Sequence, residues 1–280
     1  MPVTTDLSVL LDAVTALNRA ARYDEALALL DATRTADDRD RLSLLIGRAE
    51  VVGRREYTLG VRSGGDRSLD DAIDLAHRLE VGTSTSWDLA MLHLRRQYFD
   101  QIVGGLGPAG RDLALVDAMT VEAERLRDAA PDDVRRGWAS MCLGWFADNL
   151  RGERADSRAH FADALALGRA ADDPVLVFDA LRHLGDHAHD GGDHGAARAA
   201  WEESAAAAAR GGHVLGVLAQ QVLLAVLARD AGDEAGAQAV AREVLRWAAE
   251  LGATRLVDQL TGFLAGVDPT APPPEVVASR

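Results

Sequence analysis

Residues 181–204 read "LRHLGDHAHDGGDHGAARAAWEES". Between His183 and His194 this stretch holds four of the chain's eight histidines and three aspartates. It is either a metal or acid–base site, or one unit of a repeat whose polar residues face a groove. The spacing of small residues favours the repeat. Gly152, Gly192 and Gly232 lie 40 residues apart, twice over. Five residues after each come Ser157, Ala197 and Ala237, and four further on come Phe161, Trp201 and Ala241. A small residue after the turn lets two helices approach closely, and a larger one a turn later fills the gap between neighbouring pairs. One helix pair cannot bury its own apolar stripe, so such units must stack.

Helical periodicity runs through the chain and strand patterning is nearly missing. It predicts helices at 6–22, 24–36, 39–58, 67–80, 86–103, 111–129, 133–151, 155–171, 174–190, 194–210, 214–230, 234–250 and 253–266. Asp173-Pro174 places a capping carboxylate before a proline at the first helical position. Pro131-Asp132-Asp133 opens a helix in a similar way, and Ser86 is a candidate cap. Gly104, Gly152, Gly192, Gly232 and Gly252 fall at helix ends, where a left-handed residue is wanted. Residues 1–267 read as one continuous domain. The remaining thirteen, "DPTAPPPEVVASR", hold four of the eight prolines and read as a disordered tail.

The unit resembles the tetratricopeptide repeat. Leu184-Gly185, Gly192, Ala197 and Trp201 match that family's Leu-Gly, turn glycine, alanine and aromatic positions. Leu224, Gly232, Asp233 and Ala237 match in the next unit, where Ala225 and Ala241 replace the glycine and the aromatic. The preceding unit has Leu143-Gly144, Gly152 and Phe161, with one extra residue in the turn. Earlier, "RYDEALALL" and "RSLDDAIDLA" look like second helices, with Ala26 and Ala72 at the small position. Units of about 40 residues exceed the family's usual length of about 34, and resemble the sensor regions of large bacterial transcription activators. The resemblance implies an all-α, right-handed superhelical solenoid of about six helix pairs plus a closing helix. It implies no particular chemistry.

Composition narrows the partners. The chain is 48% hydrophobic but only 5% aromatic, which favours close-packed Ala/Leu/Val helices over a sandwich or barrel. Lysine is absent, so all 30 basic residues are arginine, a usage expected of a GC-rich genome. The formal charge of −14 repels phosphate backbones and anionic bilayers, so neither nucleic acid nor membrane is an expected partner. The most apolar window, 214–228, is interrupted by Gln220 and Gln221 and is too short to span a bilayer. The N-terminus lacks the basic and apolar regions of a signal peptide. The single cysteine, Cys142, sits in "MCLGWF" and reads as a small core residue of a cytoplasmic protein.

On the helix 174–190, Val177, Leu181, Leu184 and Ala188 share one face, which must be buried. Asp179, Arg182, Asp186, His189 and Asp190 lie opposite. His183 and His187 fall between, one turn apart, so His183, Asp186, His187 and Asp190 could reach one ion from a single helix. No HExxH or CxxC reinforces that reading. A polar groove wall is preferred, with no metal and no cofactor. His194 reads as a solvated turn residue. "GLGPAG" (105–110) follows a helix rather than a strand, so it reads as a turn and not a dinucleotide loop. No nucleophile–base spacing is present, and no catalytic residue is assigned.

Arginine and aromatic residues recur on the first helices: Arg48, Arg54, Arg55 and Tyr57; Trp87, Arg95, Arg96, Tyr98 and Phe99; Trp138, Trp145, Asp148, Asn149 and Arg151. Arg54 reads as a surface ion-pair residue and Trp201 as core. The expected binding face is Arg48, Arg55, Arg95, Arg96, Tyr98, Trp138, Trp145, Asp148, Asn149, Arg182, Asp186, His189 and Asp190. Arginines gathered along one groove would take a carboxylate, and aromatics beside them would give flat apolar contact. The expected function is a non-catalytic cytoplasmic scaffold that holds a peptide or protein segment. The alternatives are a regulatory small-molecule receptor and an enzyme working in the groove. Leu7, Leu10, Leu11 and Val14 would leave the first helix with an apolar face open to a homodimer.

Overall fold

A computed structural model describes residues 6–62, 65–103 and 111–270, with Val103 described by its backbone alone. Thirteen α-helices occupy them: α1 Leu7–Arg19, α2 Tyr23–Ala32, α3 Asp38–Leu59, α4 Ser68–Leu79, α5 Thr83–Val103, α6 Leu113–Asp128, α7 Asp133–Trp145, α8 Arg154–Ala170, α9 Pro174–Asp190, α10 His194–Arg210, α11 Val214–Asp230, α12 Glu234–Glu250 and α13 Thr254–Leu264. There is no strand among the described residues. Each helix packs on the next. The result is a right-handed α-solenoid of six helix pairs closed by α13. The "GLGPAG" stretch read as a turn, Gly104 and residues 271–280 of the stretch read as a tail lie outside the described residues.

The repeat positions do the packing expected of them. Ala197 and Ala237 are fully buried, as are Phe161, Trp201 and Ala241. Gly192 and Gly232 adopt φ of +79° and +86°, where a side chain is strained. Asp193 and Asp233 then cap α10 and α12 by accepting the N–H of Ala196 and Gly236 at 2.9 Å. Asp173 caps α9 with Pro174 in the first turn. Ser86, in contrast, is inside α5. The helix begins at Thr83, because the Ser86 N–H already finds the Gly82 carbonyl.

The extra residue between Gly144 and Gly152 is absorbed in the backbone. Residues Phe146–Arg151 continue α7 as a single π-helical turn, the usual way a helix accommodates one inserted residue. Gly152 then ends it at φ +73°.

Three neighbouring pairs of first helices touch (α1 with α3, α3 with α5, α7 with α9), while no neighbouring second helices do so to the same extent. The stack therefore curves with its first helices inside. It curves far enough for its ends to meet. α13 packs on α3, and Leu215 of α11 joins the N-terminal core around Val14, Ala26, Leu30 and Val51. Arg19 donates to the Gly211 carbonyl at 3.4 Å. Leu10 and Leu11 pack into the same core and Val14 is 2% exposed. Three of the four residues on the apolar face of α1, Leu10, Leu11 and Val14, therefore pack within the chain.

Candidate functional site

Glu50, Arg54 and Tyr57 recur at helical spacing along one face of α3. Arg95 and Tyr98 hold the corresponding positions on α5, and Asp179, Arg182 and Asp186 those on α9. These side chains sense one another across the hollow of the superhelix. Arg95, Arg54 and Arg19 all act on Glu50. Arg182, Arg54 and Arg95 act on Asp179. His213, the residue before α11, feels Arg54, Arg19 and Arg95. Glu50 is solvent-exposed, yet burial is the first cause pushing its carboxyl up. A group that is accessible to solvent and still crowded by protein lies on a concave part of the surface.

The charges in this chamber are incompletely paired. Among the described residues neither Arg54 nor Arg95 has a carboxylate within ion-pair distance. Burial, together with the neighbouring Arg54, holds the Arg95 guanidinium below the usual arginine range. Its guanidinium carbon lies 5.4 Å from the Trp138 ring centre and 5.9 Å from that of Trp145, a cation–π arrangement. The Arg182 guanidinium stands 3.9 Å from Asp186, beyond hydrogen-bond reach. Burial raises the carboxyls of Asp179 and Asp186. Chemically, the chamber offers delocalised cations beside indole faces.

The aromatic wall is fixed by hydrogen bonds. Trp145 Nε1 donates to His183 Nε2 at 3.0 Å, and its ring stacks on Tyr98 with centres 5.5 Å apart and planes 16° apart. Asn149 Nδ2 donates to the Tyr98 hydroxyl at 2.8 Å, and the Asn149 carbonyl accepts from Arg111. Asn149 reaches Tyr98 from the π-helical turn, so the inserted residue helps to position this wall.

The structure divides the expected binding residues. Arg95, Tyr98, Trp138, Trp145, Asn149, Arg182 and Asp186 belong to the chamber or its wall. Arg48 does not: it pairs with Asp31 at 2.5 Å and Asp66 at 2.8 Å, toward α2 and α4. Arg55 pairs with Asp24 of α2 at 3.3 Å. Arg54, read from the sequence as a surface ion-pair residue, is the one that faces inward. One residue along a helix is 100°, enough to exchange the two faces. Arg96 makes no ion pair among the described residues. Asp148 lies between His187 (3.5 Å) and Arg154 (3.9 Å), and Asp190 meets Arg154 at 2.6 Å. His189 sits with Asp230 at the end of α9. Glu50 and His213 were missed, and Asp179, placed on the polar face of its helix, was left out of the expected binding set. Glu50 and Arg54 carry a usable signal, an acid and a base at i and i+4 on the inner side of α3.

His183, Asp186, His187 and Asp190 do not converge on one point, because each has its own partner. His183 accepts from Trp145 and stacks on Phe161 at 4.5 Å, and burial holds it well below the usual histidine range. His187 lies 3.2 Å from the Ser157 hydroxyl. Asp186 accepts from Trp201 Nε1 at 3.1 Å, and Asp190 pairs with Arg154.

The stacked helix pairs define a tetratricopeptide-like α-solenoid. Among solved structures it is similar to a Rap protein complexed with competence and sporulation factor. The two share 12% identity over 91% of this chain and 80% of that one, with a TM-score of 0.50. Aspartyl phosphate phosphatase F from Bacillus subtilis is also similar, at 11% identity over 93% and 79% of the two chains and a TM-score of 0.49. At these identities the likeness is one of fold. No protein-family model and no curated protein sequence matches the chain.

Proposed function

We propose that the chain is a non-catalytic cytoplasmic scaffold that holds a peptide or protein segment in its concave chamber. Arginine–carboxylate pairing and contact with Trp138 and Trp145 would provide the recognition. One observation carries this reading. In a chain of formal charge −14, Arg54 and Arg95 face the interior without a carboxylate partner among the described residues. A guanidinium sheltered from solvent binds a carboxylate more strongly than one on the open surface, and a peptide supplies carboxylates at its C-terminus and acidic side chains. The solved Rap structure with competence and sporulation factor is a solenoid of this fold with a bound partner. A single cysteine that forms no disulfide fits a reducing compartment.

The test is binding of short acidic peptides, compared with their amidated, charge-neutral counterparts, to the wild type and to an Arg54→Ala/Arg95→Ala double variant. Preference for acidic peptides in the wild type alone, with helicity unchanged by circular dichroism, is the expected result. Equal binding of acidic and neutral peptides, or of the two proteins, overturns the proposal.

The contact between the two ends of the solenoid favours a second reading. With α13 packed on α3 and Leu215 in the N-terminal core, the chamber is bounded on the side where an open superhelix would admit a long segment. A short ligand, such as a small regulatory carboxylic acid, fits that boundary as well as a peptide does.

A further inference from the structure

We infer that His189, His194 and Asp230 form a binding site for a divalent transition metal of the zinc type, apart from the chamber. One ligand atom from each lies within 4.8 Å of the others, and among the described residues this is the only group of three or more His, Cys, Asp or Glu that does so. His189 Nε2 is 2.9 Å from Asp230 Oδ2, and His194 Nδ1 is 3.9 Å from the same oxygen. A tetrahedral ion with donors at roughly 2.0–2.1 Å sets those donors about 3.3 Å apart. The two observed separations bracket that value. The imidazole centres are 5.3 Å apart with planes tilted by 52°, so the rings do not stack.

Three elements build the site: the last turn of α9, the first residue of α10 and the last residue of α11. The turn that sets His194 against His189 is held by the Gly192 N–H on the His189 carbonyl and the Asp193 N–H on the Ala188 carbonyl, both at 2.9 Å. The ligand chemistry suits zinc. Two neutral imidazoles are borderline donors, zinc also accepts a carboxylate oxygen, and a three-residue set leaves a position for water. Elsewhere the chain's carboxylates pair mostly with arginine, whereas Asp230 meets only the two imidazoles among the described residues. Behind His189, its buried Nδ1 makes no hydrogen bond and stands 3.6 Å from an Asp190 oxygen. That carboxylate would orient and polarise a metal-bound His189 once it closed to hydrogen-bond distance. His194 is half-exposed on the turn and free to swing by the fraction of an ångström that closure requires. An ion here would tie the α9–α10 pair to α11.

The experiment is calorimetric titration of the full chain, purified without a histidine tag, with zinc chloride. One ion per chain is expected, with affinity lowered about 10-fold or more by His194→Ala and by Asp230→Asn, and unchanged by His77→Ala. Because His194 is half-exposed, its replacement leaves the fold intact, and circular dichroism checks this. Cobalt(II) provides a second readout: a tetrahedral visible absorption band that His194→Ala abolishes. Absence of one-to-one binding, or retention of full affinity and of the cobalt band by both variants, overturns the site.

Discussion

Gly185 lies directly beneath the Trp201 ring: a Cβ on Gly185 would stand 2.4 Å from both Trp201 Cδ1 and Nε1. The ring cannot retreat, because it is fully buried and its Nε1 donates to the Arg182 carbonyl and to Asp186, each at 3.1 Å. The neighbouring unit repeats the arrangement, with Gly144 against Phe161 at 2.4 Å. In the third unit the aromatic is Ala241 and the glycine has become Ala225, both buried. The small and large members of the pair therefore change together. Gly185→Ala should destabilise the fold by about 1–3 kcal/mol, although alanine is the better helix former by about 0.5–1 kcal/mol. Urea unfolding reads the sign. A Gly185→Ala protein as stable as the wild type would refute the close-packing account. Ala241→Phe should likewise be poorly tolerated alone and partly rescued by Ala225→Gly, a coupling that a double-mutant cycle measures.

His213 should make stability fall in acid. Burial first, and then the Arg54, Arg19 and Arg95 charges, hold its imidazole down to about 3 from an ordinary 6.5. Its neutral Nδ1 accepts the Gly216 N–H at 3.0 Å, capping α11, and its ring lies 5.1 Å from Phe178. The unfolded chain binds a proton below about pH 6.5 and the folded chain does not, so unfolding takes up protons and stability drops with falling pH. The contribution is complete above about 6.5 and is lost progressively toward 3. Glu50, Asp179 and Asp186, whose carboxyls are raised by burial, act with the opposite sign. A direct comparison with His213→Asn removes them, since asparagine keeps a cap acceptor without titrating there. The stability advantage of the wild type over that variant should shrink by a few kcal/mol between pH 7 and pH 4. A pH-independent difference would show that His213 titrates normally.

Periodicity made the fold legible because helix stacking leaves a mark at every unit: a small residue, a turn glycine, an aromatic. Of the helix ends, Ser86 misled because a capping residue type also occurs inside helices, and only the Gly82–Ser86 hydrogen bond distinguishes the cases. The site was less legible. Which of Arg54 and Arg55 faces inward depends on 100° of helix rotation, and the curvature that makes one face interior is a property of the whole stack. The extra residue before Gly152 was visible, but not that a π-helical turn would carry Asn149 to Tyr98. The His/Asp cluster of 181–204 dispersed because each of His183, His187, Asp186 and Asp190 found a partner on another helix or turn, which no single-helix projection contains. His194 and His189 are set side by side by the α9–α10 turn, and Asp230, which joins them, comes from the next unit.

Cys142 should be silent to thiol reagents in the native protein. It is fully buried, its Sγ lies 3.5 Å from Met91 Sδ, and burial pushes the thiol up to about 12. Both access and thiolate formation are therefore blocked. Iodoacetamide should leave the folded chain unlabelled at neutral pH and label it once in denaturant. Stoichiometric labelling of the native chain would mean that the α5–α7 packing opens readily.

The contact that bounds the chamber is small and should be locally removable. Arg255 of α13 lies 4.8 Å over the Tyr57 ring, donates to the Tyr57 carbonyl at 3.4 Å, and packs its Cγ where a Cβ on Gly60 would clash at 2.8 Å. Tyr57 also touches Phe99 at 5.7 Å, and its hydroxyl is felt by Arg182 and Tyr98 inside the chamber. One aromatic residue therefore belongs both to the seam and to the interior. An exposed cation–π contact contributes about 0.5–1 kcal/mol, little for the whole fold but a large share of a seam this narrow. Arg255→Ala should speed amide exchange in α13 and in the last turn of α3 far more than in α8, which packs on α7 and α9. Unchanged exchange in α13 would assign the closure to Leu215 and the N-terminal core and leave Arg255 without a part in it.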